Sequence, residues 1–447
     1  MIFQRKRMQL ILAGAAVCLF ASSHLLAASL QPMIDAAKPG DTIRIDGGIY
    51  VGDIVLNKSL ALLGTARPVL KGSGKGSVIT VEADGCTIQG FIIERSGRNL
   101  QNEDSGILLK SHRNHIESNE LRDILFGIYL FQSTNNSIAN NRIRGRKEMD
   151  SGDRGSGIHL WDSPANRIEG NTVSEARDGL FIQNSRDNVI TGNRIFDLRY
   201  GVHYMFSDAN TFEGNVFTNN VAGAAIMYSK HIRFSRNLFL HNRGYSSFGI
   251  LFQDCDSCIA EENWIVDNVT GLFAEALHNS IIRRNVIAEN DVAIEMFASA
   301  QDNVVTENNF VDNLSPIQLV GKRTGTRWAR AGRGNFWSEY DGYDLNEDGI
   351  GDVQKKIQNV FEYMEGNHPR LRLYLYSPAA TAIAMAEKAF PLLEGTNETD
   401  PSPLMRAFPV QLPAELMRRT SRFSLSLTCF SFGISGLAGF VFWSAQR

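Results

Sequence analysis

The chain has 447 residues, with 45 Lys and Arg against 48 Asp and Glu, for a formal net charge of -3. That balance leaves no basic excess of the kind that holds a phosphate backbone, so no nucleic-acid partner is indicated. Five cysteines in this length are too few for a disulfide framework, so burial and hydrogen bonding must hold the fold.

The first element is an export signal. Arg5, Lys6 and Arg7 form a positive start, Leu10 to Phe20 an apolar stretch, and Ala27 and Ala28 a small-residue cleavage region, which sets off residues 1–28. Cys18 follows Val17 inside the apolar stretch and is not read as a lipid-attachment site. The mature chain is therefore expected to be exported. Leu30 to Ala37 then reads as a short amphipathic helix, and Pro39-Gly40-Asp41 turns the chain into strands such as Thr42 to Ile45.

A repeat follows. Asn, any residue, an apolar residue, two more residues, then Asn, any residue and an apolar residue recur at Asn114–Asn119, Asn136–Asn141, Asn166–Asn171, Asn188–Asn193, Asn210–Asn215 and Asn303–Asn308. Degenerate copies begin at Cys86, Ile232, Cys258 and Ser280, and the basic step is 22 residues. A second strand follows a small residue eight positions on, at Gly127, Gly179, Gly201, Gly223 and Gly271, with period-two alternation. Short strands on a fixed period stack as a parallel coil. The fold class is all-β, a right-handed parallel β-helix over residues 29–328. Its N-terminal helix caps an otherwise open pairing edge. The repeated asparagines belong in the turns, stacked inward on turn backbone groups.

The register assigns faces. Side chains one and three after each glycine point in, and those two and four after it point out. The outward column is not polar: it carries Tyr129, Phe131, His159, Trp161, Phe181, His203, Met205, Met227, Phe273, Glu275, Glu295 and Phe297. Such a stripe is an interaction surface by default, with Trp161, Phe181, Phe273 and Phe297 as candidate partner-docking residues. Insertions at 95–105, 145–156 and 241–248 emerge beside it. His203, Met205 and Met227 form its sharpest chemical signal. Thioether plus imidazole suits Cu(I), a soft ion, with His159 and His231 as neighbouring candidates. Against this stands plain apolar contact with a loop or partner, for which Met is well suited. No catalytic residue is assigned. A sugar-cleaving or epimerising groove would need acids converging with a base, and Glu275 and Glu295 lack flanking Arg or Lys.

Cys255-Asp-Ser-Cys258 spells CxxC. Cys258 holds a ladder position and should point inward while Cys255 lies in the turn, leaving a buried thiol, a disulfide or a metal site as readings. Residues 329–372 follow the coil. Asp344, Asn346, Asp348, Ile350 and Asp352 match the first half of a calcium loop, with Lys355 where its bidentate acid belongs. Calcium binding and an acidic turn held by its own hydrogen bonds are both open. Residues 373–447 form a helical and apolar tail: an amphipathic helix at 378–393, a polar linker from Gly395 to Pro413, and a run of 21 residues from Phe423 to Trp443. That run is just long enough to span a bilayer, to lie in its interface, or to dock on a membrane partner.

The rungs resemble those of sugar-binding and sugar-hydrolysing β-helix domains. The export signal, Gly-Val-His-Tyr-Met-Phe-Ser-Asp at 201–208, the Gly-Asn-Phe-Trp-Ser stretch from Gly334 and the acidic segment to Asp352, and the apolar C-terminus resemble the NosD family more closely. This resemblance covers nearly the whole mature chain. It implies a periplasmic, non-enzymatic subunit bound to an ABC transporter permease and its ATPase. It implies a part in supplying copper to the copper-sulfide centre of nitrous oxide reductase, with Cu(I) accepted from a copper chaperone lipoprotein. Contact with the inner membrane is expected through the tail. The alternatives are a polysaccharide lyase or epimerase, or a docking scaffold that carries no metal.

Overall fold

The computed structural model describes residues 28–321, 324–358, 364, 368–374, 377–389, 398–413 and 415–416. The expected export signal and the apolar run at 423–443 lie outside the described residues.

Among the described residues the chain winds through three parallel sheets of 12, 13 and 12 strands, in which hydrogen-bonded neighbours are every third strand of the sequence except at the last pair of the 13-stranded sheet. This is the expected coil. Its axis is filled by one apolar side chain per rung from the first sheet (Ile116, Ile138, Ile168, Ile190), one from the second (Leu121, Ile143, Val173, Ile195) and two from the third (Ile128 and Leu130, Ile158 and Leu160, Leu180 and Ile182), all fully buried. The coil runs past residue 328, since Phe336–Trp337 pairs with Asn309–Val311 as a last partial rung.

Two features fix the register. Asparagines stack with each backbone N–H donating to the side-chain oxygen of the next rung, as in Asn171 to Asn193 and Asn193 to Asn215, both 2.9 Å. A third such ladder, Asn220, Asn242, Asn268, Asn290 and Asn313, lines the corner before the third sheet. The glycines opening the third-sheet strands are the other feature. A Cβ at Gly179, Gly249 or Gly271 would lie 2.6 Å from the next rung's carbonyl oxygen, so backbone approach there requires glycine.

Both ends are closed. Helix Gln31–Ala36 lays Leu30 and Ile34 over the first rung. Gln31 closes the first edge of the third sheet, accepting from Val55 N–H at 2.8 Å. At the far end the chain returns on itself. Asp400 is buried and accepts from Asn335 N–H at 2.7 Å, standing where the next asparagine of the ladder would be. It also accepts from Trp337 Nε1 at 3.0 Å.

The stretch read as a polar linker to Pro413 is therefore no free linker over its described part. Leu404 bridges Phe336. Phe408 exchanges two hydrogen bonds with the Asn309 amide. Gln411 accepts from Trp264 Nε1 at 2.9 Å, and Glu415 pairs with Arg194. Residues 404–413 thus run back along the outside of the second sheet, because that face offers apolar side chains such as Leu238 and Val286 that must be covered. Among the described residues, helix Pro378–Ala389 is the piece of the expected amphipathic helix that appears.

Candidate metal and docking face

The outer face of the third sheet carries two ladders. One runs Leu108, Tyr129, His159, Phe181, His203, Ala225, Leu251, Phe273 and Glu295. The other runs Phe131, Trp161, Gln183, Met205, Met227, Gln253 and Glu275. Met205 and Met227 are direct register partners, one strand spacing apart, and both are half-exposed. His203 lies two residues before Met205 on strand Tyr200–Met205 and faces the same way.

Asp178 explains how His203 is held. Its side chain is 2% exposed and is gripped by Arg199 through Nε at 2.9 Å and Nη2 at 2.6 Å. Nδ1 of His203 lies 3.4 Å from the same carboxylate. Burial pushes the Asp178 pKa up, but the hydrogen bonds from His203 and Arg199 outweigh it and hold the group below its ordinary value. In the neutral ring, a proton on Nδ1 directed at this carboxylate would leave Nε2 as the nitrogen with a lone pair, the arrangement of a metal-binding imidazole; Arg199 Nη2 also lies 3.5 Å from Nδ1. The sequence reading missed Asp178. Its only signal was a charge beside Gly179, where other rungs place Ser, Thr, Ala or an aromatic residue.

His159 is not part of that group. Phe181 intervenes on the ladder, stacked on His159 at 4.3 Å and edge-on to His203 at 4.9 Å. The expectation of a surface histidine is corrected: His159 is buried, and neither ring nitrogen has a hydrogen-bond partner. Burial pulls its pKa down to about 3. The insertions cause this. Glu103 accepts from the Tyr129 hydroxyl at 2.8 Å. Met149 packs with Phe131 and Trp161 on a small apolar cluster of Leu125, Phe126 and Tyr129. Arg146 ties the first two insertions together, donating to Ser96 and Gly97 carbonyls and to Asp123.

His231 is also displaced from the group. It sits beyond the end of its strand in an exposed corner with φ 58°. Of the four aromatic docking residues, all are half-exposed. Phe181 is flanked by the two histidines, Trp161 packs near Met149, and Phe273 sits between Phe248 at 4.9 Å and Phe297 at 5.2 Å.

The freer surface lies one residue further on. Phe206 and Tyr228, each following one of the paired methionines, stack at 5.1 Å and are 54% and 45% exposed. Both have left-handed backbones, φ 50° and 53°. The same corner elsewhere holds Gln132, Asp162, Asn184 and Asp254, also left-handed. Bulky side chains are disfavoured there, and such outliers point to use.

In the segment from Asp344, the carboxylates accept hydrogen bonds from the turn's own backbone. Asp344 accepts from Asp348 and Gly349 N–H, Asp348 from Ile350 N–H at 2.8 Å, and Asp352 from Leu345 N–H at 2.7 Å. Among the described residues no group of three or more His, Cys, Asp or Glu could hold a metal. A Met-based site is a different donor set.

Comparison of the sequence with known proteins points to one family. The family model described as "Periplasmic copper-binding protein (NosD)" matches residues 140–342. A protein of Pseudomonas aeruginosa named "Probable ABC transporter binding protein NosD" is 37% identical over 396 residues, covering 83% of this chain and 92% of that one. One of the same name from Stutzerimonas stutzeri is 34% identical, covering 85% and 90%. Solved structures that resemble the coil include the mannuronan C-5 epimerase A-module of Azotobacter vinelandii, at 15% identity and TM-score 0.46, covering 66% of this chain and 95% of that one. An alginate lyase of Paenibacillus is similar at 18% identity and TM-score 0.45, covering 52% and 91%. With over a third of positions shared across nearly the full length of a relative, the chain belongs to the NosD family, whose model describes a periplasmic copper-binding protein.

Proposed function

We propose that this protein is the periplasmic accessory subunit of an ABC transporter complex, with its permease and ATPase as partners, and that it passes Cu(I) toward the copper-sulfide centre of nitrous oxide reductase. The observation that carries this reading is the pairing of Met205 with Met227 on adjacent rungs beside His203. Two thioethers and one imidazole make a soft, neutral donor set. It suits Cu(I) and is poor for zinc or magnesium. A site at the open surface, with no carboxylate among its donors, suits cargo that must be released.

The stacked Phe206 and Tyr228 beside these donors support a docking role for the same corner. A chaperone lipoprotein delivering copper, or the reductase receiving it, would cover them. The apolar tail then adds attachment to the permease or inner membrane. The family assignment and the names of the relatives favour a binding subunit over an enzyme.

The test is Cu(I) affinity of the mature protein, measured by competition with a chromophoric chelator, for the natural chain and for Met205→Ala with Met227→Ala. Loss of at least about 10-fold in affinity is expected from removing two of three ligands. Unchanged affinity removes Met205 and Met227 as ligands and places the copper elsewhere on the chain, whereas no Cu(I) binding by the natural chain leaves the metal-free scaffold. Turnover of a uronate polymer by the same preparation would instead favour the lyase or epimerase.

A further inference from the structure

The ladder that begins at Asn114 has a gap. Asn114, Asn136, Asn166, Asn188 and Asn210 hand hydrogen bonds from rung to rung. The next three positions are Ile232, Cys258 and Ser280, before Asn303 resumes. Ile232 can neither donate nor accept through its side chain, and a thiol is a weak substitute for an amide. The corner between the third and first sheets therefore loses its amide stack over three rungs.

Cys255 and Cys258 sit in the middle of that gap. The expectation that only Cys258 points inward is corrected: both are inside the coil, 1% and 2% exposed. Cys255 is the rung partner of Ser229, in a column that holds Ser133, Ser163, Ser185 and Ser207 on other rungs. The serine of this column and the asparagine three residues later meet directly: Ser111 Oγ lies 3.1 Å from Asn114 Nδ2, and Ser133 Oγ 2.8 Å from Asn136 Nδ2. Cys255 and Cys258 occupy these same two positions. Sulfur stands where the serine oxygen and the asparagine Cγ stand, so the two thiols face each other across the corner. Cys255 also lies against the Ile226 and Gln253 carbonyls and the Ser229 backbone, and Cys258 against the Asp256 carbonyl, the Ile232 backbone and the Ser280 side chain.

We propose that Cys255 and Cys258 are joined as a disulfide in the exported protein, a covalent staple in place of the missing amide stack. The periplasmic family places the chain where dithiols are oxidised. Two thiols lose two protons and two electrons, and a disulfide-bearing thiol oxidase accepts them and becomes a dithiol. The exchange runs by thiolate attack through a mixed disulfide. It occurs before the coil closes, since neither sulfur is accessible afterwards. All three cysteines among the described residues stand as free thiols in the structure, and Cys86, at the N-terminal end of the same ladder with no cysteine three residues before it, stays one.

The test uses the full chain recovered from the periplasm, unfolded in denaturant with excess maleimide and digested with trypsin. Both cysteines fall in the peptide from Gly244 to Arg283. The expected peptide is unlabelled, lighter by two hydrogens than its dithiol form, and takes two labels after reduction, while the peptide with Cys86 labels at once. Two labels on 244–283 without reduction would overturn the proposal. In Cys258→Asn, which restores the ladder amide, Cys255 should label without reduction. Failure to label there would equally overturn the pairing, since Cys255 would then be blocked by something other than Cys258.

Discussion

His159 and Phe181 lie ring on ring, 4.3 Å apart and 26° from parallel, on the outside of the solenoid, yet the imidazole is shut away from water with both nitrogens unpartnered. An unsatisfied buried polar group costs about 1–3 kcal/mol. His159→Phe keeps the aromatic ladder and removes that cost, so urea melting at pH 7 should show a gain of about 1–3 kcal/mol. A loss would mean that the nitrogens are satisfied by water or by a ligand.

The same residue sets a pH dependence. Its folded pKa, about 3, lies below the ordinary value of 6.5. On acidification the unfolded chain takes the proton first. Stability from this group is whole above about pH 6.5 and falls as pH drops toward 3, with a limiting slope of about 1.4 kcal/mol per pH unit. His159→Phe should flatten urea stability between pH 6.5 and 4.5 relative to the natural protein. An unchanged slope would assign the acid sensitivity to other groups.

The asparagine ladder should behave as a chain. Asn193 donates to Ile168 O at 2.8 Å and to Asn215 Oδ1 at 2.9 Å, while its own oxygen accepts from Asn171. Asn193→Ala leaves several buried partners unpaired and should cost about 3 kcal/mol or more. Adding Asn215→Ala should cost less than the second single change alone, because the two share a bond. Additive losses would show that the rungs act independently.

At the closed end, Asp400 holds Asn335, Trp337 and Ser402 at once. Asp400→Ala strips those three donors and frees the strap that continues to Glu415. We expect about 3–5 kcal/mol lost and early proteolysis within 404–413, read by limited digestion. Cleavage confined to other loops would show that Leu404, Phe408 and Gln411 hold the strap without it.

The coil was legible because its rule is repetitive: apolar alternation and the asparagine phrase recur on one period, and each recurrence is independent support for the same register. That register put Met205 beside Met227, as the paired strands have it. What the pattern could not carry was anything held by chain returning from far away. His159 was read as exposed because its column points outward, but Met149 and the neighbouring insertions add a second layer. The segment to Pro413 was read as a linker because it is polar and rich in proline. Its anchors, Asp400 to Asn335 and Gln411 to Trp264, span 65 and 147 residues and leave no local periodicity. The third asparagine ladder, from Asn220, uses the same residue at another phase of the period and so falls outside the Asn-x-apolar phrase.

The corner at Phe206 and Tyr228 separates fold from function. Two stacked aromatics are worth about 0.5–1.5 kcal/mol. A left-handed backbone favours asparagine over either residue by a comparable amount. Phe206→Asn with Tyr228→Asn should therefore leave stability within about 1 kcal/mol of the natural protein, and Cu(I) affinity unchanged, because neither ring is a ligand. If this corner is where a copper-bearing partner docks, the double variant should still lower the copper-sulfide centre content of co-produced nitrous oxide reductase, measured by its visible absorption. The same variant made at Gln132 and Asp162, by exchange for alanine, should not. A full complement of the centre in the aromatic variant would remove this corner from the transfer route and leave Met205 and Met227 to act without it.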